Sequence, residues 1–587
     1  MINVALIGVG PHAKRIYLNY LKKNKINLCL VVEIDSKKIS TRTYLDEQGF
    51  KNTKIYTIND KYKDDKHMPS INDNELKTIC KLFEITHIII STEPKAHYMY
   101  LEFALKNNIN VLTDKPITVN KNMTTLKSIN NVRREYYELL DLANNSKATC
   151  KVMCQRQYHR GYEKIKELLN EIVTEYHMPI TNIEIFHSDG AWEFPHDLDK
   201  ENHPYKYGYG KLYHSGYHFI DLLSDLIKIN DSLGRDKKIV KGDVFSRVFT
   251  PSDEMNLFNI EDYQELFKDQ QLPSYYKKNP NPQFNKYGEK DYHGLLTFYN
   301  KKGYTITNAT MNLLHNSISR RTWANTKDFY KNNGRIRHER VNIEVGHLLN
   351  VQIHSYQSKE IKERTENEET VGGLEHFDIY IFSNPITKRK PFQEIHLKDL
   401  YTAKEKKDFL GYNELARETF LKEFLNNKDC KGDIKDQALA IEILYACSKG
   451  LHNHYAKKNK IESIEIRNQY TYPYMAKRLR TYSNPVDRNL EKEDIRSNIH
   501  IKDIYTIYNF IKYVPDIKKY EVFISLYDGK DVAGSLLDKT FKSKFIAILY
   551  YKVLEYRIEK MSINELTNRI EKSASKIKRN KMSTNIE

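Results

Sequence analysis

No stretch of this 587-residue chain comes near the roughly 18 uninterrupted apolar residues that a membrane-spanning helix needs. The longest apolar runs, Ile2 to Val9 and Leu28 to Val32, are of strand length. No charged segment followed by a longer apolar stretch and a small-residue cleavage site opens the chain, because strand-like sequence begins at Ile2. Cysteine is scarce as well. Cys29, Cys80, Cys150, Cys154, Cys430 and Cys447 include no CxxC pair and are too scattered for a disulfide framework. These absences lead to the expectation of a cytoplasmic chain with free thiols. Cys150 and Cys154, four residues apart on an expected strand, are not expected to hold a metal or to form a redox pair.

With 40% apolar and 29% charged residues and a mean hydropathy of −0.69, the chain has the makeup of a globular protein with a wet surface. Its length calls for two or three domains. A formal charge of +17 could attract nucleic acid, an acidic membrane surface or an anionic substrate. From Thr471 onward there are 23 Lys and Arg against 15 Asp and Glu, so a net +8 of that excess lies in the last fifth of the chain. The basic residues there have few interleaved aromatics and make a poor nucleic-acid platform. Neither nucleic acid nor membrane is expected as a partner.

Chemistry first shows in Asn3 to Asp35, which read as strand, glycine turn, helix and second strand. Val4-Ala5-Leu6-Ile7 leads into Gly8-Val9-Gly10-Pro11-His12-Ala13. Gly8 permits the tight turn, Gly10 lets the backbone approach a pyrophosphate, and Ala13 lets the helix pack close while its first amides face the anion. Asp35, 25 residues after Gly10, is placed to accept hydrogen bonds from the adenosine ribose, which favours NAD. Lys37 and Lys38 lie just beyond it and leave NADP open.

Three further segments follow in order. Ile88-Ile89-Ile90-Ser91-Thr92-Glu93-Pro94-Lys95-Ala96-His97 is followed by Asn110-Val111-Leu112-Thr113-Asp114-Lys115-Pro116, and later comes Gly208-Tyr209-Gly210-Lys211-Leu212-Tyr213-His214-Ser215-Gly216-Tyr217-His218-Phe219-Ile220-Asp221. With the glycine turn, they resemble the glucose-fructose oxidoreductase and inositol dehydrogenase (Gfo/Idh/MocA) family, with its TPxxH-like turn, EKP motif and GGxLxDxGxHxxD helix entry. The resemblance covers Met1 to Gln469. It implies an NAD(P)-dependent oxidoreductase acting on a CH–OH group of a sugar, sugar derivative or cyclitol. The alternative is a non-catalytic sensor or scaffold of the same fold. The resemblance also implies that Pro11, His12, Ser91, Thr92, Pro94, His97, Asp114 and Lys115 border the cofactor, that Lys115 hydrogen-bonds the reacting hydroxyl and that His218 accepts its proton. Arg156, Tyr158, Trp192 and Tyr217 fall near family pocket positions and are candidate substrate contacts.

His214 stands where the family usually carries an aspartate, one helical turn before His218. A second imidazole there would lower the basicity of the first if protonated, or would bind an anionic substrate group directly. His214, His218 and Asp221 could project from one helical face as a zinc-like trio, but hydride transfer needs no metal and no HExxH is present, so no metal is expected. Asp221 is expected to orient its neighbours. Arg335, Arg337 and His338-Glu339-Arg340 read as a solvated charge run.

The expected architecture is an α/β Rossmann domain over residues 1–148, then an α+β domain with an open, mainly antiparallel sheet over 149–469. In that second domain Val341, Ile343, Val345, Leu349, Val351 and Ile353 alternate around the Gly346-His347 turn, as a sheet with one core face requires. By analogy, the open sheet would build a homo-oligomer. A linker over 470–498 would lead to a small helical module over 499–587. There Ile504, Ile507, Tyr508 and Ile511, then Phe545, Leu549, Val553 and Tyr556, recur at helical spacing, and Lys572 to Lys581 form a solvated tail.

Overall fold

The structure, a computed structural model, describes residues 2–198, 205–234, 236–266, 284–319, 336–357, 376–403, 405, 412–426 and 430–466, together with strands within 494–541. Two compact units divide the chain, Met1–Arg467 and Asn468–Glu587.

The first unit begins with six strands: β1 (Asn3–Ile7), β2 (Asn27–Ile34), β3 (Lys54–Ile58), β4 (His87–Ile90), β5 (Asn110–Thr113) and β6 (Cys150–Val152). They pair in parallel in the order β3-β2-β1-β4-β5-β6. Every residue of β1 and β4 is buried. Continuous apolar runs such as Val4-Ala5-Leu6-Ile7 are what a parallel sheet covered on both faces demands. The strand order reverses between β1 and β4, which opens a crevice at their carboxyl ends. β6 pairs with β5, so the domain reaches a few residues past the expected boundary at 148.

A nine-stranded sheet follows: β7 (Asn182–Ala191), β8 (Ile239–Phe249), β9 (Asp291–Asn300), β10 (Thr305–Asn316), β11 (Arg337–Val345), β12 (Leu349–Gln357), β13 (His376–Ser383), β14 (Phe392–His396) and β15 (Glu462–Glu465). Its order is β14-β13-β12-β11-β7-β10-β9-β8-β15, and all pairs are antiparallel except β7 with β10. Val341 faces Ile353, Ile343 faces Val351 and Val345 faces Leu349 across the Gly346 turn. All six are buried, as their alternation predicts.

Two late helices tie the halves of this unit together. In Tyr412–Leu425, Phe420, Leu421, Phe424 and Leu425 join the core cluster that contains Val4, Leu6 and Leu18 of the first domain. Beside Ala438–Tyr455, the Tyr136 hydroxyl donates to the Ile434 carbonyl at 2.9 Å, and Arg133 Nε donates to Glu442 at 2.9 Å. No helix among the described residues is long and apolar enough to cross a membrane.

The second unit differs from the expected helical module. It contains an antiparallel sheet of β16 (Asp494–Lys502), β17 (Tyr505–Val514), β18 (Lys519–Tyr527) and β19 (Val532–Phe541). β16 begins inside the expected 470–498 linker. Ile507, Tyr508 and Ile511 lie on β17, where Tyr505, Ile507, Ile511 and Tyr513 also satisfy a period of two in a β-branched and aromatic segment. Ile504, Phe545, Leu549, Val553, Tyr556 and the tail Lys572 to Lys581 lie outside the described residues.

Candidate active site

The carboxyl end of β1 runs into Gly8, whose φ of +84° is left-handed and whose absent side chain would sit 2.7 Å from the Ser91 carbonyl oxygen. Gly10 is different: a Cβ there would meet nothing within 4 Å, so open space lies above the turn. Pro11 begins the helix, Ala13 is buried, and Lys14 N donates to the Gly10 carbonyl at 3.0 Å. An anion above Gly10 would face the helix's first amides. The space and the donors fit a dinucleotide pyrophosphate.

Glu33 at the end of β2, which the sequence analysis passed over, is buried, and its Oε1 accepts the Val9 amide at 3.1 Å. Asp35 is exposed and begins a short 3-10 turn, with its Oδ2 accepting from Asn59 at 3.2 Å. Glu33 thus holds the glycine turn, while Asp35, the residue read as a ribose acceptor, lies two residues on, exposed at the end of β2.

After β4 and β5 the two middle motifs interlock. Asp114 accepts from the Tyr17 hydroxyl and from Ser91 Oγ at 2.7 Å, and His12 Nε2 lies 3.5 Å away. Burial alone would push this carboxyl up, but His12 and the two hydroxyls hold it well below the usual carboxylate range. His97, fully buried, lies with Nδ1 2.9 Å from the Pro116 carbonyl and Nε2 3.3 Å from that of Thr92. Burial lowers its pKa, opposed by Asp114 and the facing carbonyls, and the ring spans the two loops. Its place is behind the cleft.

Two adjoining chambers occupy the crevice. The smaller, about 260 Å³, is bordered by Thr92, Pro94, Asp114 and Tyr209. The larger, about 500 Å³, extends from Pro11 and His12 to Arg156, His187, Asp189, Arg337 and Glu339. His12, Lys115, Gln155, His214, His218 and Arg417 border both.

Lys115 sits at this junction, its Nζ donating to the His214 carbonyl at 2.5 Å. Burial lowers its pKa to about 8, against the pull of Asp114. His218, near the start of the Tyr217–Lys228 helix, is 7% exposed. Burial first, then the positive charges of Lys115, Arg156 and Arg417, push its pKa well below the ordinary histidine value. Its Nδ1 is buried with no hydrogen-bond partner among the described residues.

Asp221, one turn further along, accepts Gln157 Nε2 at 3.0 Å and Gln437 Nε2 at 2.8 Å, and burial together with Asp225 raises its pKa to about 7. Both amide donors hold it in place behind His218 on the same helix. Among the described residues no cluster of His, Cys, Asp and Glu could hold a metal ion. Cys150 and Cys154 are buried, and burial raises both thiols.

Of the four candidate substrate contacts, Arg156 borders the larger chamber. Tyr158 instead packs against Phe420 and donates to Glu423 at 2.5 Å. Tyr217 is fully buried and donates to Gln437 at 2.9 Å. Trp192 clusters with Phe194, Phe258 and Tyr263 and is not among the residues bordering either chamber. The expected solvated charge run is not one. Glu339 is buried, where it accepts hydrogen bonds from Arg156 and Tyr162, and Arg337 and Glu339 both border the chamber. The alternation that runs through Val341, Ile343 and Val345 puts 337 and 339 on the same face and could have found them. Arg335 lies outside the described residues.

Residues 2–135 match the GFO_IDH_MocA family, described as an oxidoreductase family with an NAD-binding Rossmann fold. No curated relative matches the chain in sequence. Similar solved structures include an aldose-aldose oxidoreductase from Caulobacter crescentus complexed with glycerol (12% identity, 79% of this chain and 99% of that one, TM-score 0.45). Another is an oxidoreductase from Agrobacterium radiobacter in complex with NAD+, L-tartaric acid and magnesium (10%, 79% and 98%, 0.45). A third is a UDP-N-acetylglucosamine 3-dehydrogenase from Acidithiobacillus ferrooxidans (11%, 77% and 98%, 0.43).

Proposed function

We propose, on the premise that this chain is an oxidoreductase of the Gfo/Idh/MocA family with its NAD-binding Rossmann fold in residues 2–135, that it moves hydride to or from a CH–OH carbon of a sugar, sugar derivative or cyclitol. The observation that carries this reading is the meeting of Lys115 and His218 where the two chambers join, next to the open glycine turn.

When bound, the nicotinamide ring supplies the hydride acceptor for oxidation or the donor for reduction. The chain's own residues handle the proton and the charge on oxygen. Lys115, as an ammonium, donates to the substrate oxygen and stabilises the charge that gathers there. His218, kept neutral by burial and by neighbouring cations, is in the form that accepts the hydroxyl proton during oxidation and must be protonated to return it during reduction. Asp114, held ionised beside Lys115, favours the ammonium form over the free amine. Gln157 and Gln437 fix Asp221 and with it the helix that carries His218.

The test follows NADH absorbance with a panel of sugars, cyclitols, sugar phosphates and nucleotide sugars. The wild-type protein is expected to turn over at least one of them. Lys115→Ala should lower kcat about 10²- to 10⁴-fold, the range set by loss of a positioned proton-transfer or polarising group, while NADH binding by calorimetry persists. A protein that binds NADH but turns over nothing is the sensor alternative. One that does neither overturns the reading.

A further inference from the structure

Lys211 lies in the glycine-rich segment that leads to His218, and it is fully buried. Glu289 fixes its backbone: the Lys211 amide donates to the Glu289 carbonyl at 2.9 Å, and the Leu212 amide donates to the Glu289 carboxyl at 2.7 Å. Lys211 Nζ donates to Asp189 Oδ2 at 2.5 Å and lies 2.9 Å from His187 Nδ1. His187 and Asp189 are two residues apart on β7, so they share a face of the sheet. Both border the larger chamber, and Lys211 is not among its bordering residues.

A buried ammonium persists when a carboxylate and further acceptors receive its protons. Asp189 is that carboxylate, itself accepting from Ser215 Oγ at 2.7 Å, with His315 Nδ1 3.5 Å away. An ammonium has three donors and no acceptor, so the His187 nitrogen that meets it is the bare one. The proton of the neutral ring is then on Nε2. Burial, then the charge of Lys211, push the His187 pKa well below the ordinary histidine value, with Asp189 opposing and Arg156 and Arg337 adding to the push. The ring is 5% exposed and packs on Phe219, the residue after His218, with centroids 4.5 Å apart. A neutral imidazole whose proton is fixed on Nε2 thus stands in the chamber wall next to the proposed base.

Resting on the oxidoreductase reading above, we infer that Lys211 and Asp189 lock His187 as its Nε2–H tautomer, and that this ring donates a hydrogen bond to a substrate hydroxyl or carbonyl oxygen other than the one Lys115 polarises. Lys211 is the positioning residue: it keeps the ring from presenting an acceptor to the chamber. The two imidazoles divide the work, His218 exchanging a proton and His187 holding one.

The experiment uses the full chain. Solid-state NMR of protein carrying isotope-labelled histidine, differenced against His187→Gln, reads the tautomer without any substrate. The signal lost at neutral pH is expected to be a ring with bare Nδ1 and protonated Nε2. The Lys211→Met/Asp189→Asn double variant, which removes both members of the buried pair, should gain the Nδ1–H form at His187. An Nδ1–H ring or an imidazolium in the wild type, or an unchanged tautomer in the double variant, overturns the inference. Kinetics then use the member of the NADH panel with the highest kcat/KM. His187→Leu is expected to raise its KM about tenfold, the contribution of one hydrogen bond at a desolvated site. His187→Gln, whose amide donates from the place of Nε2, should stay within about threefold of wild type, with NADH affinity unchanged in both variants. Equal losses in the two variants, or no loss in either, overturn the inference. Absence of turnover with every panel member defeats the oxidoreductase reading instead, and the tautomer measurement still judges the lock on His187.

Discussion

Lys115 is an ammonium in a place that opposes charge. Its pKa of about 8 lies below the ordinary lysine value of 10.5, so the protonated fraction falls as pH rises through 8. His218 is depressed and stays unprotonated across neutrality. For oxidation, kcat/KM is therefore expected to be flat from about pH 6 to 7.5 and to fall above about 8, since Lys115 must carry its proton to polarise the oxygen. Lys115→Met should remove that alkaline limb along with most of the rate. The linkage sign runs the other way for stability. Between about 8 and 10.5 the unfolded lysine holds a proton that the folded one has released, so folding gains stability with rising pH there. Gly10 offers a second check at this scale. Its backbone is extended (φ −78°, ψ 178°) and its Cβ position is empty, so Gly10→Val should fold with an unchanged melting temperature and lose about 100-fold in NADH affinity, about 3 kcal/mol.

At the scale of elements, the helix Tyr412–Leu425 belongs to the first domain by packing and to the far end of the chain by sequence. Phe420 is fully buried against the Rossmann layer. Phe420→Ala is expected to cost about 3–5 kcal/mol, read by denaturant unfolding. It should also weaken NADH binding, because the same helix holds Arg417 at the chamber junction. Nothing in local sequence could announce Arg417, since a contact across roughly 400 residues leaves no periodicity or spacing to read. The glycine turn, the β4 and β5 motifs and the His218 helix were legible because each is a short local segment whose residue types follow from one backbone geometry. Glu339 was legible in principle, through the two-residue period of β11, but its charged neighbours suggested a solvated face. β17 failed for a different reason: a ten-residue run with apolar and aromatic side chains at most positions fits a helical and an extended template alike.

At the scale of the whole molecule, both main core clusters and the described residues bordering the chambers lie within Met1–Arg467. A chain ending at Arg467 is expected to unfold cooperatively and to bind NADH within about threefold of the full chain. A precipitating or non-binding truncation would mean that residues after 467 are needed for the fold of the first unit. Hydride transfer at this site requires the dinucleotide to place its nicotinamide beside Lys115 and His218. A structure of the protein determined with NADH bound tests this directly. The prediction is a pyrophosphate over Gly10 and a nicotinamide ring at the junction of the two chambers, bordered by Lys115 and His218. A dinucleotide bound elsewhere, or one whose nicotinamide points away from both side chains, would contradict it.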